Sequence, residues 1–173
     1  TGHFTRYLNR TDHTLPTRRA RRLVGPARRA YARAMPDLRT TPLHALHLSL
    51  GARMGPFAGY DMPIQYPDGV LKEHLHVRAA AGLFDVSHMG QIALRPRSGR
   101  IEDAAAAIEA LTPMNFVGLA AGRQRYAFLT DDQGGILDDL MVANRGDHLL
   151  LVVNAARKEA DLAHLEAGLG NAC

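Results

Sequence analysis

The sequence predicts an α+β fold: an antiparallel sheet with helices packed on one face. Three observations carry this. Residues 125–153 hold three strand-like runs joined by tight turn sequences, the pattern of a meander. Another strand-like run, residues 91–94, stands ahead of them. Helical stretches over residues 100–111 and 156–167 complete the order β-α-β-β-β-α in residues 83–168, which is not the regular alternation of a parallel sheet.

Each element has a local reason. Thr40-Thr41-Pro42 reads as a threonine cap with proline in the first turn of a helix. Leu43, Leu46, Leu48 and Leu50 are expected to form its apolar side, and Gly51 its stop. Residues 52–66, with Gly55, Pro56, Gly59 and Pro63, read as short strand and loop. A second helix is expected over residues 70–81, with Asp68 near its start and Gly82 beyond its end. Residues 83–86 and 91–94 read as strands on either side of Ser87-His88-Met89-Gly90. The alanine-rich run 100–111 favours helix by itself, with Ser98 as its cap. Strands are expected over residues 125–130, 136–143 and 148–153, turning at 131–135 and 144–147.

The chain has 173 residues, 46% of them hydrophobic and 22% charged, and no Trp. That is enough for one ordinary domain or two small ones, and it predicts a soluble, intracellular chain. No apolar run approaches the roughly 18 residues of a membrane span. Cys173, the single cysteine, makes no internal disulfide, so a disulfide-stapled secreted fold is excluded.

Charge is unevenly placed. Residues 1–40 carry ten arginines against Asp12 and Asp37, a net of +8. Residues 41–173 carry 11 basic and 15 acidic groups, a net of −4, so the basic pI is a property of the front end alone. The body has no electrostatic footprint for a phosphate backbone, and no nucleic acid is expected as a partner. The leader has three readings: upstream sequence outside the mature protein, a targeting segment, or a nucleic-acid-binding arm. It contains no Ser, and Pro16 and Pro26 interrupt any long amphipathic helix. The expected organisation is a disordered leader over 1–34, an N-terminal segment over 35–82, an α+β unit over 83–169 and a short end over 170–173.

Asp138-Asp139 is the feature of most chemical interest. Neighbours on a strand point to opposite faces, so at most one of the pair faces the core. A carboxylate among Ile136, Leu137, Leu140, Met141 and Val142 is costly to desolvate unless something pairs with it. Among the nine histidines, His44 and His47 share a helix face and His74 and His76 do not; none has the acidic partner of a zinc helix. They read as exposed or capping residues, and no metal is expected. Asp85, Ser87 and His88 are too close in sequence to converge as a hydrolytic triad. Arg145-Gly146-Asp147 reads as a hairpin turn, and residues 118–122 lack the flanking elements of a phosphate loop.

Several stretches, in order, resemble the aminomethyltransferase (T protein) family of the glycine cleavage system. They are Thr41-Pro42-Leu43, Leu50-Gly51-Ala52-Arg53-Met54, Phe57-Ala58-Gly59-Tyr60-Asp61-Met62-Pro63, Val77-Arg78, and the run from Gly82 to Gly90. Gly134-Gly135-Ile136-Leu137-Asp138-Asp139-Leu140 and Val152-Val153-Asn154-Ala155 follow. The resemblance spans residues 40–168 and implies the N-terminal part of a three-domain, folate-binding cloverleaf whose C-terminal part is missing here, inactive alone.

The implied reaction moves a one-carbon unit from the aminomethyl-lipoyl arm of the H protein to tetrahydrofolate, releasing ammonia. The implied co-substrate is tetrahydrofolate, with no metal, no membrane and a monomeric state. Asp139 matches the family's key aspartate, and Met89, Tyr126, Val152 and Asn154 match positions that line its folate pocket. A ring and a thioether flank a flat pterin, and an amide serves its edge. Ala143 stands where members of the family carry an aromatic residue. The expected location is the bacterial cytoplasm, with the mitochondrial matrix as the alternative. The alternative function is a folate-binding module of a related one-carbon enzyme or of an iron–sulfur cluster assembly protein.

Overall fold

The computed structural model describes residues 38–173; the expectations for the leader lie outside the described residues. Two compact units divide the chain between His88 and Met89.

In the first unit, α1 (His44–Ser49) starts without the predicted threonine cap. Leu43 occupies the cap position and makes no side-chain bond, because the Thr41 hydroxyl donates to Asp85 Oδ2 at 2.7 Å instead. The predicted apolar face is also corrected. Leu46, Leu48 and Leu50 are about half exposed, and the buried residue of the helix is His47. Leu46 and Leu50, four apart, do share a face, but Leu48 lies off it and the face that packs inward is the one carrying His47. Gly51, at φ +74°, ends the helix as expected.

Strands β1 (Arg53–Phe57) and β2 (Tyr60–Gln65) form an antiparallel hairpin. Ala58 and Gly59 at its tip both have positive φ, the geometry that matches the twist of a two-residue hairpin. Pro56 and Pro63 are tolerated because each strand of a two-stranded ribbon has an edge that needs no ladder donor. Helix α2 (Val70–Ala79) ends two residues before the predicted position and buries none of its side chains.

Residues 83–86, expected as a strand, belong to no sheet. Their alternation is real, with Phe84 and Val86 exposed and the Asp85 side chain 1% exposed. The inward residue is a carboxylate, however, and it is anchored by side-chain bonds from His47 and Thr41.

The second unit has the predicted order. Its elements are β3 (Gly90–Leu94), α3 (Ile101–Glu109), β4 (Gln124–Thr130), β5 (Ile136–Asn144), β6 (Leu149–Val153) and α4 (Lys158–Leu169). All pairings in the four-stranded sheet are antiparallel, in the order β3-β6-β5-β4. Alternate residues of the strands (Leu94, Ala127, Leu129, Leu140, Val142, Leu149, Leu151 and Val153) form one buried cluster with Ala104, Ala105 and Ile108 of α3 and Leu165 and Leu169 of α4. Both helices therefore cover the same face. Each large apolar side chain in that layer contributes about 1.5–3 kcal/mol of burial.

Ser98 does not cap α3 directly; its hydroxyl donates to Asp103 at 2.6 Å and accepts the Arg100 amide at 3.2 Å. Arg145-Gly146-Asp147 lies in the β5–β6 turn, where Asn144 Oδ1 accepts the Gly146 amide at 2.8 Å.

Candidate functional site

The register of the sheet decides which side chains can meet. Ala127, Leu140, Val153 and Gly90 are paired across all four strands, and all are buried on the helix-covered face. The rows on either side of this one project to the opposite, helix-free face. One of them runs Tyr126, Met141, Val152, Gln91. The other pairs Phe128 with Asp139. Asn154, one residue past the end of β6, extends that second row and bonds Asp139 directly. Met89 immediately precedes Gly90, so the chain enters β3 beside Asn154. Asp139, Tyr126, Val152, Asn154 and Met89, far apart in sequence, thus converge on one end of one sheet.

Asn154 is the hub. Its amide nitrogen donates to Asp139 Oδ1 at 3.0 Å, to Asp138 Oδ1 at 3.1 Å and to the Asp139 main-chain carbonyl at 3.2 Å. Asp138 and Asp139 point to opposite faces, yet one amide reaches both because Asn154 lies just beyond the strand end. Both carboxylates are half-buried. Tyr126 and Phe128 pack edge to face, with ring centroids 5.2 Å apart, and Tyr126 is 49% exposed. Desolvation raises the Tyr126 hydroxyl above the ordinary phenol range, and hydrogen bonding to Asp139 and its charge add to this. Tyr126 therefore stays a protonated donor toward Asp139. A half-exposed ring, an apolar row (Met141, Val152) and a carboxylate–amide pair make a platform suited to a flat ligand with a polar edge.

One member of this cluster was not anticipated. Asp161 of α4 is 1% exposed and lies within hydrogen-bonding reach of Asp138. The signal was present in the sequence: Asp161, Leu165 and Leu169 recur every four residues, and all three are buried.

In the first unit His74 is exposed as expected, but His44 and His47 are not the exposed or capping residues expected. His44 bonds Asp61 at 2.9 Å; His47 is buried, with Nε2 on Asp85 Oδ2 at 2.8 Å and Nδ1 on the Tyr66 hydroxyl at 2.7 Å. These bonds, with those from Thr41 and the Ser87 amide, hold the Asp85 carboxyl well below its usual range against the opposing effect of burial. Asp85 is a structural anchor of this unit. Among the described residues, no group of three His, Cys, Asp or Glu side chains is placed to hold a metal, and no helix is long and apolar enough to cross a membrane.

Residues 43–173 match the family model described as the GCVT N-terminal domain. The chain belongs to this family. Family relatives include the mitochondrial aminomethyltransferase of Dictyostelium discoideum, 40% identical over 144 residues that cover 83% of this chain and 34% of that protein. The aminomethyltransferase of Deinococcus deserti is 45% identical over 137 residues, covering 77% and 37%. The crystal structure of glycine cleavage system aminomethyltransferase T from Bartonella henselae superposes with a TM-score of 0.70 at 43% identity, covering 77% of this chain and 36% of that one. The chain spans about a third of the length of these relatives.

Proposed function

We propose that this chain provides the Asp139-bearing, folate-facing part of a tetrahydrofolate-dependent aminomethyltransferase of the glycine cleavage system. The observation that carries the reading is the convergence of Asp139, Tyr126, Val152, Asn154 and Met89 at one end of the helix-free face. In the reaction, the carbon of the aminomethyl-lipoyl group on the H protein leaves its sulfur and its nitrogen and becomes bonded to N5 and N10 of the folate. The two folate N–H protons end on the lipoyl thiol and on ammonia, so atoms and charge balance.

Asp139 has two tasks in this scheme. It accepts a proton from a folate amine and opposes the positive charge that develops as the carbon transfers. Asn154 fixes the carboxylate by bonding both its side chain and its main chain. Tyr126 donates to the same carboxylate and offers its ring to the pterin. No metal takes part in the scheme.

The test uses Asp139→Asn, which keeps an oxygen for the Asn154 amide and removes the charge. Titrating tetrahydrofolate onto the chain should give affinities within a few-fold for the two proteins. In a chain completed to the relatives' length, turnover with aminomethyl-loaded H protein should fall by roughly 10²–10⁴. Unchanged turnover removes Asp139 from the mechanism. Absence of tetrahydrofolate binding to the completed chain removes the reading itself.

A further inference from the structure

Behind the Asp139 platform, on the helix-covered side, two carboxyl groups face each other without a donor between them. Asp161 reaches Asp138 from the first turns of α4, and Oδ2 of each is buried without a hydrogen-bond partner. Two ionised carboxylates here would be two acceptors in contact, with no donor for either Oδ2 and mutual repulsion in a desolvated site. The other charged groups that reach Asp161 are Asp139 of β5, which adds to the repulsion, and Arg157 ahead of α4, which opposes it. The buried side chains of α3, β4 and β6 are all apolar and supply no donor. His164, one turn further along α4, keeps Nε2 buried and without a hydrogen-bond partner. One proton on the pair supplies the missing donor.

We infer that Asp161 is a positioning residue for the Asp139 site: it and Asp138 share one proton, and the acid so formed holds Asp138 in place under the Asn154 amide. Asp138 Oδ1 is one of three acceptors on that amide, and the other two belong to Asp139. Protonating the pair keeps Asp138 a single, fixed acceptor. Removing the proton sets two negative charges against each other and pulls Asn154 toward Asp138, away from Asp139. Burial, followed by the Asp138 contact, raises the Asp161 carboxyl to about 7, so the proton is held below neutrality and begins to leave at it. The importance of this for catalysis rests on the reading of Asp139 as the folate-facing carboxylate; the shared proton does not.

The experiment needs no ligand. In the chain labelled with ¹³C-Asp and ¹⁵N-Asn, the Asp161 carboxyl resonance should titrate near neutrality, and the Asn154 side-chain amide should shift with the same midpoint. In Asp161→Asn, whose amide supplies a permanent donor to Asp138, the Asn154 signal should no longer move in that range. An Asp161 midpoint at the ordinary carboxylate value of about 4 overturns the inference. An Asn154 amide that ignores the titration, or that follows it equally in Asp161→Asn, overturns the positioning role. Tetrahydrofolate binding is measured separately, so failure of the folate reading and failure of the shared proton are told apart.

Discussion

Asn154 holds Asp139 twice, donating to its carboxylate at 3.0 Å and to its main-chain carbonyl at 3.2 Å. Side chain and backbone of one residue are thereby fixed by one amide, and that amide sits at a strand end rather than in a flexible loop. The Arg157 amide bonds the Asn154 carbonyl at 3.0 Å, which ties the hub to the start of α4. Preorganisation of this kind limits the reorganisation the carboxylate must undergo when charge develops nearby.

Asn154→Ala should therefore destabilise the second unit and loosen Asp139 together. Both aspartates lose a donor while half-buried, an effect of about 1–3 kcal/mol. Asn154→Asp should be worse than Asn154→Ala at neutral pH, because it adds a fourth carboxylate to the cluster of Asp138, Asp139 and Asp161, and should recover in mild acid. Urea unfolding of both variants at two pH values checks the ranking; equal stability of the two at neutral pH would show that charge does not govern this cluster.

The two units should respond oppositely to pH. Asp161 has a raised carboxyl, about 7 against an unfolded value of 3.8, so between these values the folded state holds a proton that the unfolded chain has lost. Stability of the second unit is then greatest below the unfolded value and falls as pH rises through neutrality, with a slope approaching about 1.4 kcal/mol per pH unit. Asp85 is depressed, so its contribution is present above 3.8 and is lost as pH falls below that value. Hydrogen exchange at the Val142 and Leu151 amides reports the first effect and at His47 the second. Protection of β5 and β6 that grows from mildly acid to neutral pH would contradict the assignment to Asp161.

The order of elements in the second unit was legible because its strands are apolar runs bounded by Asp/Asn/Gly turns, signals that depend on near neighbours only. The same local signals misled at residues 83–86, where alternation around Asp85 looks like a strand but reflects a carboxylate anchored by His47. They misled again in α1, where leucine spacing hid a buried histidine. Asp138-Asp139 was conspicuous as charge in an apolar strand, yet composition alone could not choose between the two; resemblance to the aminomethyltransferase family chose Asp139. Asp161 went unnoticed because an acidic residue near the start of a helix already has a sufficient explanation in the helix dipole. Its partner lies 23 positions away in the sequence, on another element.

His47 should prove the main polar support of the first unit. Nε2 bonds the Asp85 carboxylate and Nδ1 the Tyr66 hydroxyl, so one ring serves two polar partners at once. His47→Phe keeps the volume and removes both bonds, at an expected cost of about 1–3 kcal/mol. Adding Asp85→Leu removes the carboxylate left without its histidine, so a double-mutant cycle should show coupling above about 1 kcal/mol. Strict additivity would mean that the buried contact carries no net interaction.

Gly90→Ala tests how closely α4 must approach the sheet beneath the site. A Cβ at residue 90 would stand 2.6 Å from Val153 Cγ2 and 2.7 Å from Lys158 Cβ, inside the contact distance of both. Val153 is fully buried, and Lys158 Cβ is fixed to the first residue of α4, so neither yields freely. The expected loss is about 1–3 kcal/mol, read as a lower urea midpoint with an unchanged slope. Trimming the valine in a Gly90→Ala, Val153→Ala double variant should restore only part of it, because the Lys158 contact remains. Residues 89 and 154 flank the clashing pair, so the displacement should also weaken tetrahydrofolate binding more than the stability loss alone accounts for. Full recovery in the double variant would place the tight contact at Val153 and free α4 of any part in it.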